Sequence, residues 1–341
     1  MSNEIEWGIL GSANIAIKKV IPAMQKGKFC EISAIASRNL EKARHAAESL
    51  NIPKFYGSYE GLLNDSEIEA VYIPLPNHLH LEWSKKAAEA GKHVLCEKPI
   101  TLNAQEVKEL IEIRDQTGVK IQEAFMVRHH PQWVKVRELI QSEKLGKIRS
   151  ITGFFSYNIP DPKNVRNHAN WGGGCLLDIG SYCINLSRFV LKAEPKRVSG
   201  LIKRDEETGI DTLTSAILDF PNAQATFTVA ARLVSFQRMQ FFGDKGRLEV
   251  QIPFNLPPDT PTQIVIDDGS DLYRRNLETI EFAAVDQYTL QGDEFSKAIL
   301  NEAEQLIPLE DSFKNMAVID AVFRSAKSGN WENPENSKDF Y

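Results

Sequence analysis

Short apolar runs alternate with amphipathic stretches over the first third of the chain. Glu6-Trp7-Gly8-Ile9-Leu10 reads as a buried strand, followed by a glycine turn and a helix from about Ile15. Glu31-Ile32-Ser33-Ala34-Ile35-Ala36 predicts a second strand, and the Ala-, Glu-, Lys- and Arg-rich stretch near Leu40 to Leu50 a helix. Val71-Tyr72-Ile73 predicts a third strand. A helix over 81–90 then ends at Gly91, a residue suited to a left-handed cap. His93-Val94-Leu95-Cys96 is the next strand. Asn103, with Glu106 three residues on, predicts a capped helix whose Val107, Leu110 and Ile111 share one face. Strands alternating with helices predict parallel βαβ units.

After about Ala124 the pattern changes. A helix is expected from Gln132 to Ser142, with Val136, Leu139 and Ile140 on one side. Longer antiparallel strands are expected over 148–155, 212–220, 223–233 and 246–252, where Thr226, Phe227, Thr228 and Val229 alternate with a period of two. Asp219-Phe220-Pro221-Asn222 and Gly243-Asp244-Lys245-Gly246 supply turns, and the last helix is expected near Ser312 to Lys327. The proline-rich stretch from Pro253 to Pro261 reads as a mobile loop. Leu233, Phe236, Met239, Phe241 and Phe242 are more apolar than a solvated sheet face prefers, so they form either a homo-oligomer interface or ordinary core.

A length of 341 residues accommodates two domains. A net charge of −6 argues against broad nucleic-acid binding, which needs a basic surface. The acidic start Met1-Ser2-Asn3-Glu4-Ile5-Glu6 leads straight into a strand and lacks the basic and apolar regions of a signal peptide. No apolar run is long enough to span a bilayer. Cys30, Cys96, Cys175 and Cys183 lack zinc-site spacing and are too few for a disulfide scaffold. A reduced, cytoplasmic protein with no metal site is the expectation.

Three segments carry candidate chemistry. In Gly8-Ile9-Leu10-Gly11-Ser12-Ala13-Asn14-Ile15-Ala16, Gly11-x-Ala13-x-x-Ala16 stands where a dinucleotide fingerprint has three glycines. Alanine adds only a methyl, so the main chain at Ser12, Ala13, Asn14 and Ile15 can still face a pyrophosphate. At the end of the second strand stand Ser37 and Arg38, not the Asp or Glu that binds an NAD ribose. A hydroxyl and a guanidinium suit a 2′-phosphate, so NADP(H) is favoured, with NAD(H) left open. The loop Leu75-Pro76-Asn77-His78-Leu79-His80 follows a strand and should border the same crevice. Leu75, Asn77 and His80 are cofactor candidates, although Asn77 or His80 serves equally as a helix cap.

Glu97-Lys98-Pro99 ends the strand at Cys96, where ligands bind in open parallel sheets. Lys98 suits stabilisation of a developing alkoxide or donation of a proton to it, and Glu97 suits ribose hydroxyls or orientation of Lys98. Far downstream, Gly172-Gly173-Gly174 precedes Leu176-Leu177-Asp178-Ile179-Gly180-Ser181-Tyr182. A helix there sets Asp178 and Tyr182 at i and i+4. A phenol next to an ammonium loses its proton more readily, which makes Tyr182 and Lys98 a chemically sensible pair.

With Glu89-Ala90-Gly91-Lys92-His93-Val94-Leu95-Cys96-Glu97-Lys98-Pro99, Glu123-Ala124-Phe125-Met126 and the segment from Gly172 to Asn185, nearly the whole chain resembles the glucose–fructose oxidoreductase/inositol dehydrogenase (Gfo/Idh/MocA) family. The resemblance implies an α/β architecture: an N-terminal Rossmann dinucleotide-binding domain, here 1–124, then an α+β domain with a large, mostly antiparallel open sheet, here 125–341. The last helix is free to pack back on the first domain. It implies reversible hydride transfer between nicotinamide and a CH–OH or C=O carbon of a sugar, polyol or dihydrodiol-type substrate.

Tyr182, where many members carry histidine, makes the chain similar to the branch of dimeric dihydrodiol dehydrogenase and NADP-dependent xylose dehydrogenase. That branch implies Lys98 and Tyr182 as catalytic residues and Asp178 as a substrate ligand or supporting group. Arg128, Arg166 and Trp171 are further pocket candidates placed by flanking motifs. A small-molecule substrate and a homodimer or higher homo-oligomer through the open sheet are the expected partners, with no nucleic acid and no membrane. Two rival functions stay open: a non-catalytic NADP(H) sensor, and a redox-neutral enzyme whose cofactor is reduced only transiently.

Overall fold

The structure is a computed structural model and describes residues 4–334. Met1–Asn3, read above as part of an acidic lead into the first strand, lie outside the described residues. Of the described residues, 4–129 together with Asp286–Phe313 form one compact unit, and His130–Val285 with 314–334 form the other.

In the first unit β1 (Ile5–Leu10), β2 (Cys30–Ala36), β3 (Lys54–Tyr56), β4 (Ala70–Ile73), β5 (His93–Glu97) and β6 (Ile121–Ala124) form a parallel sheet in the order β3-β2-β1-β4-β5-β6. The helices between them are α1 (Ile21–Met24), α2 (Leu40–Leu50), α3 (Tyr59–Leu63), α4 (His80–Glu89) and α5 (Ala104–Thr117). Trp7, Ile9, Leu10, Val71, Tyr72, Ile73, Val94 and Leu95 are all fully buried, because helices cover both faces of such a sheet. The caps are the expected ones. Asn103 accepts from the Glu106 amide at 3.0 Å, Glu106 accepts in return from the Leu102 amide at 2.9 Å, and Gly91 has φ +74°.

The second unit contains α6 (Pro131–Gln141), β7 (Ile148–Asn158), α7 (Ser181–Leu191), β8 (Arg197–Arg204), β9 (Asp211–Asp219), β10 (Gln224–Ala230), β11 (Arg232–Gly243), β12 (Arg247–Val250), β13 (Thr262–Asp267) and β14 (Glu278–Phe282). The sheet order is β14-β13-β12-β11-β7-β10-β9-β8, antiparallel except for the parallel pair β7–β10. The single strand expected over 223–233 divides at Ala231 into β10 and β11, which lie on opposite sides of β7. One face packs on α6 and α7, where Trp133 meets Phe241 edge-on at 6.2 Å.

The apolar group read as either an interface or ordinary core is divided between buried and exposed positions. Met239 and Phe241 are wholly buried core, while Phe236, on the other face of β11 by the two-residue period, is 46% exposed, and Leu233, within the register shift between Arg232 and Phe236, is 42% exposed. The proline-rich loop is not loose. Its Phe254 and Asn255 amides donate to Gln237 Oε1 at 2.9 and 3.0 Å, the Trp133 indole donates to the Pro253 carbonyl at 2.7 Å, and Phe254 is fully buried.

The chain then returns to the first unit through α8 (Gln287–Ile299), before α9 (Leu309–Ser328). Trp7 on β1 donates its indole N–H to Ser296 at 3.1 Å and packs its ring 6.0 Å from Phe295. Asp293 accepts from the Lys28 and Phe29 amides at 2.8 and 3.0 Å. Among the described residues no helix is long and apolar enough to cross a membrane, and no cluster of His, Cys, Asp or Glu is arranged to hold a metal.

Candidate active site

The strand order of the first sheet runs outward in both directions from β1 and β4, so the crevice for a ligand lies beyond the carboxyl ends of those two strands. Several of the cofactor candidates stand at those strand ends. Gly11, one residue past β1, has φ +126°, and a Cβ built on it would stand 3.0 Å from Leu75 Cδ2 and 3.8 Å from the Tyr59 hydroxyl. Glycine is favoured here by its backbone angle, and the close Leu75 side chain of the β4 loop adds to the crowding. Ser12 and Ala13 lead into a helical segment that starts at Asn14 and includes a π-turn at Ala16–Val20. A helix start after a glycine at the switch point fits a pyrophosphate.

Arg38 is exposed at the end of β2 and interacts with the Tyr59 hydroxyl, lowering the phenol's pKa against the larger raising effect of burial. Gly11, Leu75, Tyr59 and Arg38 therefore belong to one crevice. Tyr59 was not anticipated, since an aromatic residue opening a short helix carries no motif. Ser37 is buried, and its hydroxyl accepts from the Asn39 amide at 3.3 Å.

His80 departs from expectation. It is fully buried, with Nδ1 2.8 Å from the Pro99 carbonyl and Nε2 2.7 Å from the Leu75 carbonyl, so its ring meets main chain instead of a ligand. Burial pushes its pKa down to about 4. Asn77 begins a short 3₁₀ turn, Asn77–Leu79, and no side chain caps the start of α4. Glu97 accepts from the Tyr72 hydroxyl at 2.6 Å and from the Lys98 amide at 3.3 Å. That fixes the carboxylate beside the turn carrying Lys98.

Beyond Lys98, the Ile100 amide donates at 3.0 Å to Glu123, a fully buried carboxyl on β6. Burial pushes the Glu123 pKa up to about 7, with Asp311 adding to the rise and Ser312, the Ile100 amide and Lys98 opposing it. The folded chain thus keeps a proton that the unfolded chain loses near pH 4.5. Stability should fall as pH rises from about 4.5 to 7, by about 3 kcal/mol, and level off above. Glu123→Gln should flatten that slope in urea titrations at pH 5 and pH 8, and an unchanged slope would count against a buried protonated Glu123. Arg128, read as a substrate ligand, is 7% exposed and forms an ion pair with Asp311 at 2.9 Å.

In the second unit the glycine run has a mechanical explanation. A Cβ on Gly173 would come within 2.5 Å of the Arg166 carbonyl, and one on Gly174 (φ +111°) would overlap the Asp211 carboxylate. Asp211 in turn accepts from the Leu176 amide at 2.6 Å, fixing the start of the π-turn Leu176–Gly180 that leads into α7. Such turns often mark functional positions.

Asp178 accepts from the Tyr157 hydroxyl and from Arg166 Nε, both at 2.7 Å to Oδ2. Burial, with the Asp178 charge second, raises the Tyr157 pKa and keeps that phenol protonated. One turn on, Tyr182 is 5% exposed, its ring 6.2 Å from Phe155 and 5.5 Å from Phe254. Trp171 is 39% exposed and stacks on His168 at 4.1 Å. The second unit therefore brings Arg166 and Asp178 into contact and sets Tyr182 one helical turn on. Tyr157 and Phe254, which the sequence did not single out, come from a strand and from the proline-rich loop.

Comparison with known proteins gives the family. Residues 5–125 match the oxidoreductase family with an NAD-binding Rossmann fold, and residues 133–249 match the GFO/IDH/MocA C-terminal domain. The chain is 47% identical to an uncharacterised oxidoreductase of Rhizobium meliloti, covering 96% of this chain and 98% of that one. It is 37% identical to a D-xylose 1-dehydrogenase (NADP(+)) of Haloferax volcanii, covering 95% and 98%. The crystal structure of a 3-ketoreductase from Actinomadura kijaniata, in complex with NADP and TDP-benzene, superposes with a TM-score of 0.88 at 30% identity, covering 95% and 98%. With a matching domain on each half and a nicotinamide-dinucleotide crevice at the β1/β4 switch, the chain belongs to the Gfo/Idh/MocA family of NAD(P)-dependent oxidoreductases.

Proposed function

We propose that the protein is an NADP(H)-preferring dehydrogenase or reductase acting on a sugar, polyol or related vicinal diol or hydroxyketone, with Lys98 and Tyr182 as its catalytic pair. The observation that carries the cofactor choice is the exposed Arg38 beside Tyr59, whose hydroxyl borders Gly11, where an NAD-binding site would hold a carboxylate. The xylose dehydrogenase and the ketoreductase, both described with NADP, support it.

The bound nicotinamide supplies or accepts the hydride. In the reducing direction Tyr182 gives its proton to the forming alkoxide oxygen. Lys98 stabilises the charge on that oxygen and eases the phenol's loss of its proton. Asp178, held by Tyr157 and Arg166, offers an acceptor for a substrate hydroxyl, and the exposed Trp171 an apolar face for a sugar ring.

A spectrophotometric screen of both cofactors, in both directions, against sugars, cyclic diols and dicarbonyls tests the reading. NADPH-linked turnover of a sugar or diol supports it. Cofactor binding without turnover across the panels points to a sensor, and product without net absorbance change points to a redox-neutral enzyme. Arg38→Ala should raise KM for NADPH by about tenfold or more, as expected for a lost charge-assisted contact, and leave KM for NADH nearly unchanged. Equal effects on the two would reject the 2′-phosphate assignment.

The open sheet face of the second unit belongs to the same proposal as a homodimer interface. It exposes Leu201 (76%), Ile217 (40%) and Phe236 (46%) around a depression of about 940 Å³ that also holds Phe154, Thr226 and Arg238. Light scattering should give twice the 38.4 kDa chain mass, and Ile217→Glu should shift it toward one. A monomer at all concentrations would remove this part. The four cysteines are buried free thiols, which suits a cytoplasmic location.

A further inference from the structure

The turn that carries Lys98 is held by side chains. Its Lys98 amide meets Glu97 at 3.3 Å, its Pro99 carbonyl faces His80 Nδ1 at 2.8 Å, and its Ile100 amide donates to Glu123 Oε1 at 3.0 Å. Glu97 belongs to the turn and His80 also touches the Leu75 loop. Glu123 alone among the three comes from the neighbouring strand β6, where it pairs in register with Cys96, two residues before Lys98. Strand β6 is held along β5 by the sheet itself, so the Glu123 carboxyl is a fixed post and the turn hangs from it.

Glu123 is wholly buried, and the groups that act on its charge are Lys98 from the turn and Asp311 and Ser312 from α9. Asp311 is in turn paired with Arg128 at 2.9 Å. A carboxyl in so enclosed a place is costly to keep unless something depends on it.

We propose that Glu123 is a positioning residue for Lys98, fixing the direction of its side chain through the hydrogen bond to the Ile100 amide. The proposal rests on the reading of Lys98 as catalytic. A backbone released at Ile100 lets the ammonium wander from the reacting oxygen, and a misplacement of that kind lowers the rate of the chemical step without weakening cofactor binding.

A double-mutant cycle on the full-length enzyme tests it. Glu123→Met removes the acceptor while keeping the length of the side chain. It should lower kcat by about tenfold with Kd for NADPH, read by fluorescence titration, within about threefold of wild type. Glu123→Gln keeps an oxygen for the Ile100 amide and should keep kcat within about threefold. In a Lys98→Ala background, Glu123→Met should have no further effect on kcat, because the residue it positions is gone.

An equal fall in both backgrounds, or a Glu123→Gln enzyme as impaired as Glu123→Met, overturns the proposal. Should Glu123→Met fail to fold, Glu123→Asp, whose carboxylate is withdrawn by one methylene, takes its place with the same expected outcomes. A Lys98→Ala enzyme with wild-type kcat overturns the catalytic reading instead, a result visible before any Glu123 variant is made.

Discussion

Lys98→Ala should lower kcat by about 10³-fold while leaving the affinity for NADPH within a few-fold of wild type. The ammonium stands at the end of β5, on a turn whose main-chain groups are met by Glu97, His80 and Glu123. Such a mounting gives the charge a defined direction at no reorganisation cost when negative charge develops on a substrate oxygen. The substitution removes the charge and leaves the three contacts of the turn, all made by main-chain atoms or neighbouring residues, so its thermal unfolding midpoint should stay close to wild type. Steady-state kinetics with a substrate from the screen, beside a melting curve, separates the two quantities. Wild-type kcat in a folded variant would remove Lys98 from the mechanism.

Tyr182→Phe should cost about 10²- to 10⁴-fold in kcat, the range for loss of a general acid. The ring lies between Phe155 and Phe254 and is almost wholly buried, so phenylalanine keeps the packing and deletes one hydroxyl. The pH profile gives the sharper reading. If Tyr182 is the group whose protonation limits the rate, the alkaline limb seen in the reducing direction disappears in the variant, since no phenol remains to titrate. An unchanged limb with an unchanged kcat would assign the proton to another group. Under the proposed pairing, in which Lys98 eases the phenol's ionisation, the two substitutions should combine to less than the sum of their separate effects on the barrier.

These residues were legible in the sequence because each sits in a segment with its own reason to be unusual. Gly11 ends an apolar run at a strand–helix turn, Lys98 stands between a glutamate and a proline just past another, and Tyr182 follows three glycines. The parallel sheet was equally legible, since fully buried strands leave continuous apolar runs such as Val71-Tyr72-Ile73. What escaped is what only the folded chain brings together. Phe254 reaches the Tyr182 ring because Gln237 on β11 and Trp133, far away in sequence, hold the loop that carries it. Glu123 looks like an ordinary acidic residue until β6 pairs with β5 and places it under Ile100. Tyr59 gains meaning only beside Gly11 and Arg38. His80 was misread because a histidine in a crevice loop gives no sign of whether its ring turns outward or, as here, between two carbonyls. The apolar cluster on β11 was taken together, as interface or as core, although Phe236 stands on the opposite face of the strand from the buried Met239 and Phe241.

The return of the chain through α8 bears on how the nucleotide-binding unit comes to exist at all. Trp7, the third residue of the first strand, finds its ring partner and its hydrogen bond on Phe295 and Ser296, nearly three hundred residues later. As the chain leaves the ribosome, all six parallel strands emerge well before the helix that closes over this tryptophan. Until then the earliest strand keeps an apolar side chain uncovered on its face, a hold for chaperones or for a wrong partner. A gene fragment cut near residue 129 would encode every strand of the cofactor sheet and still yield a sticky, incomplete body. In this protein the cofactor half is finished only when the other half has already been made.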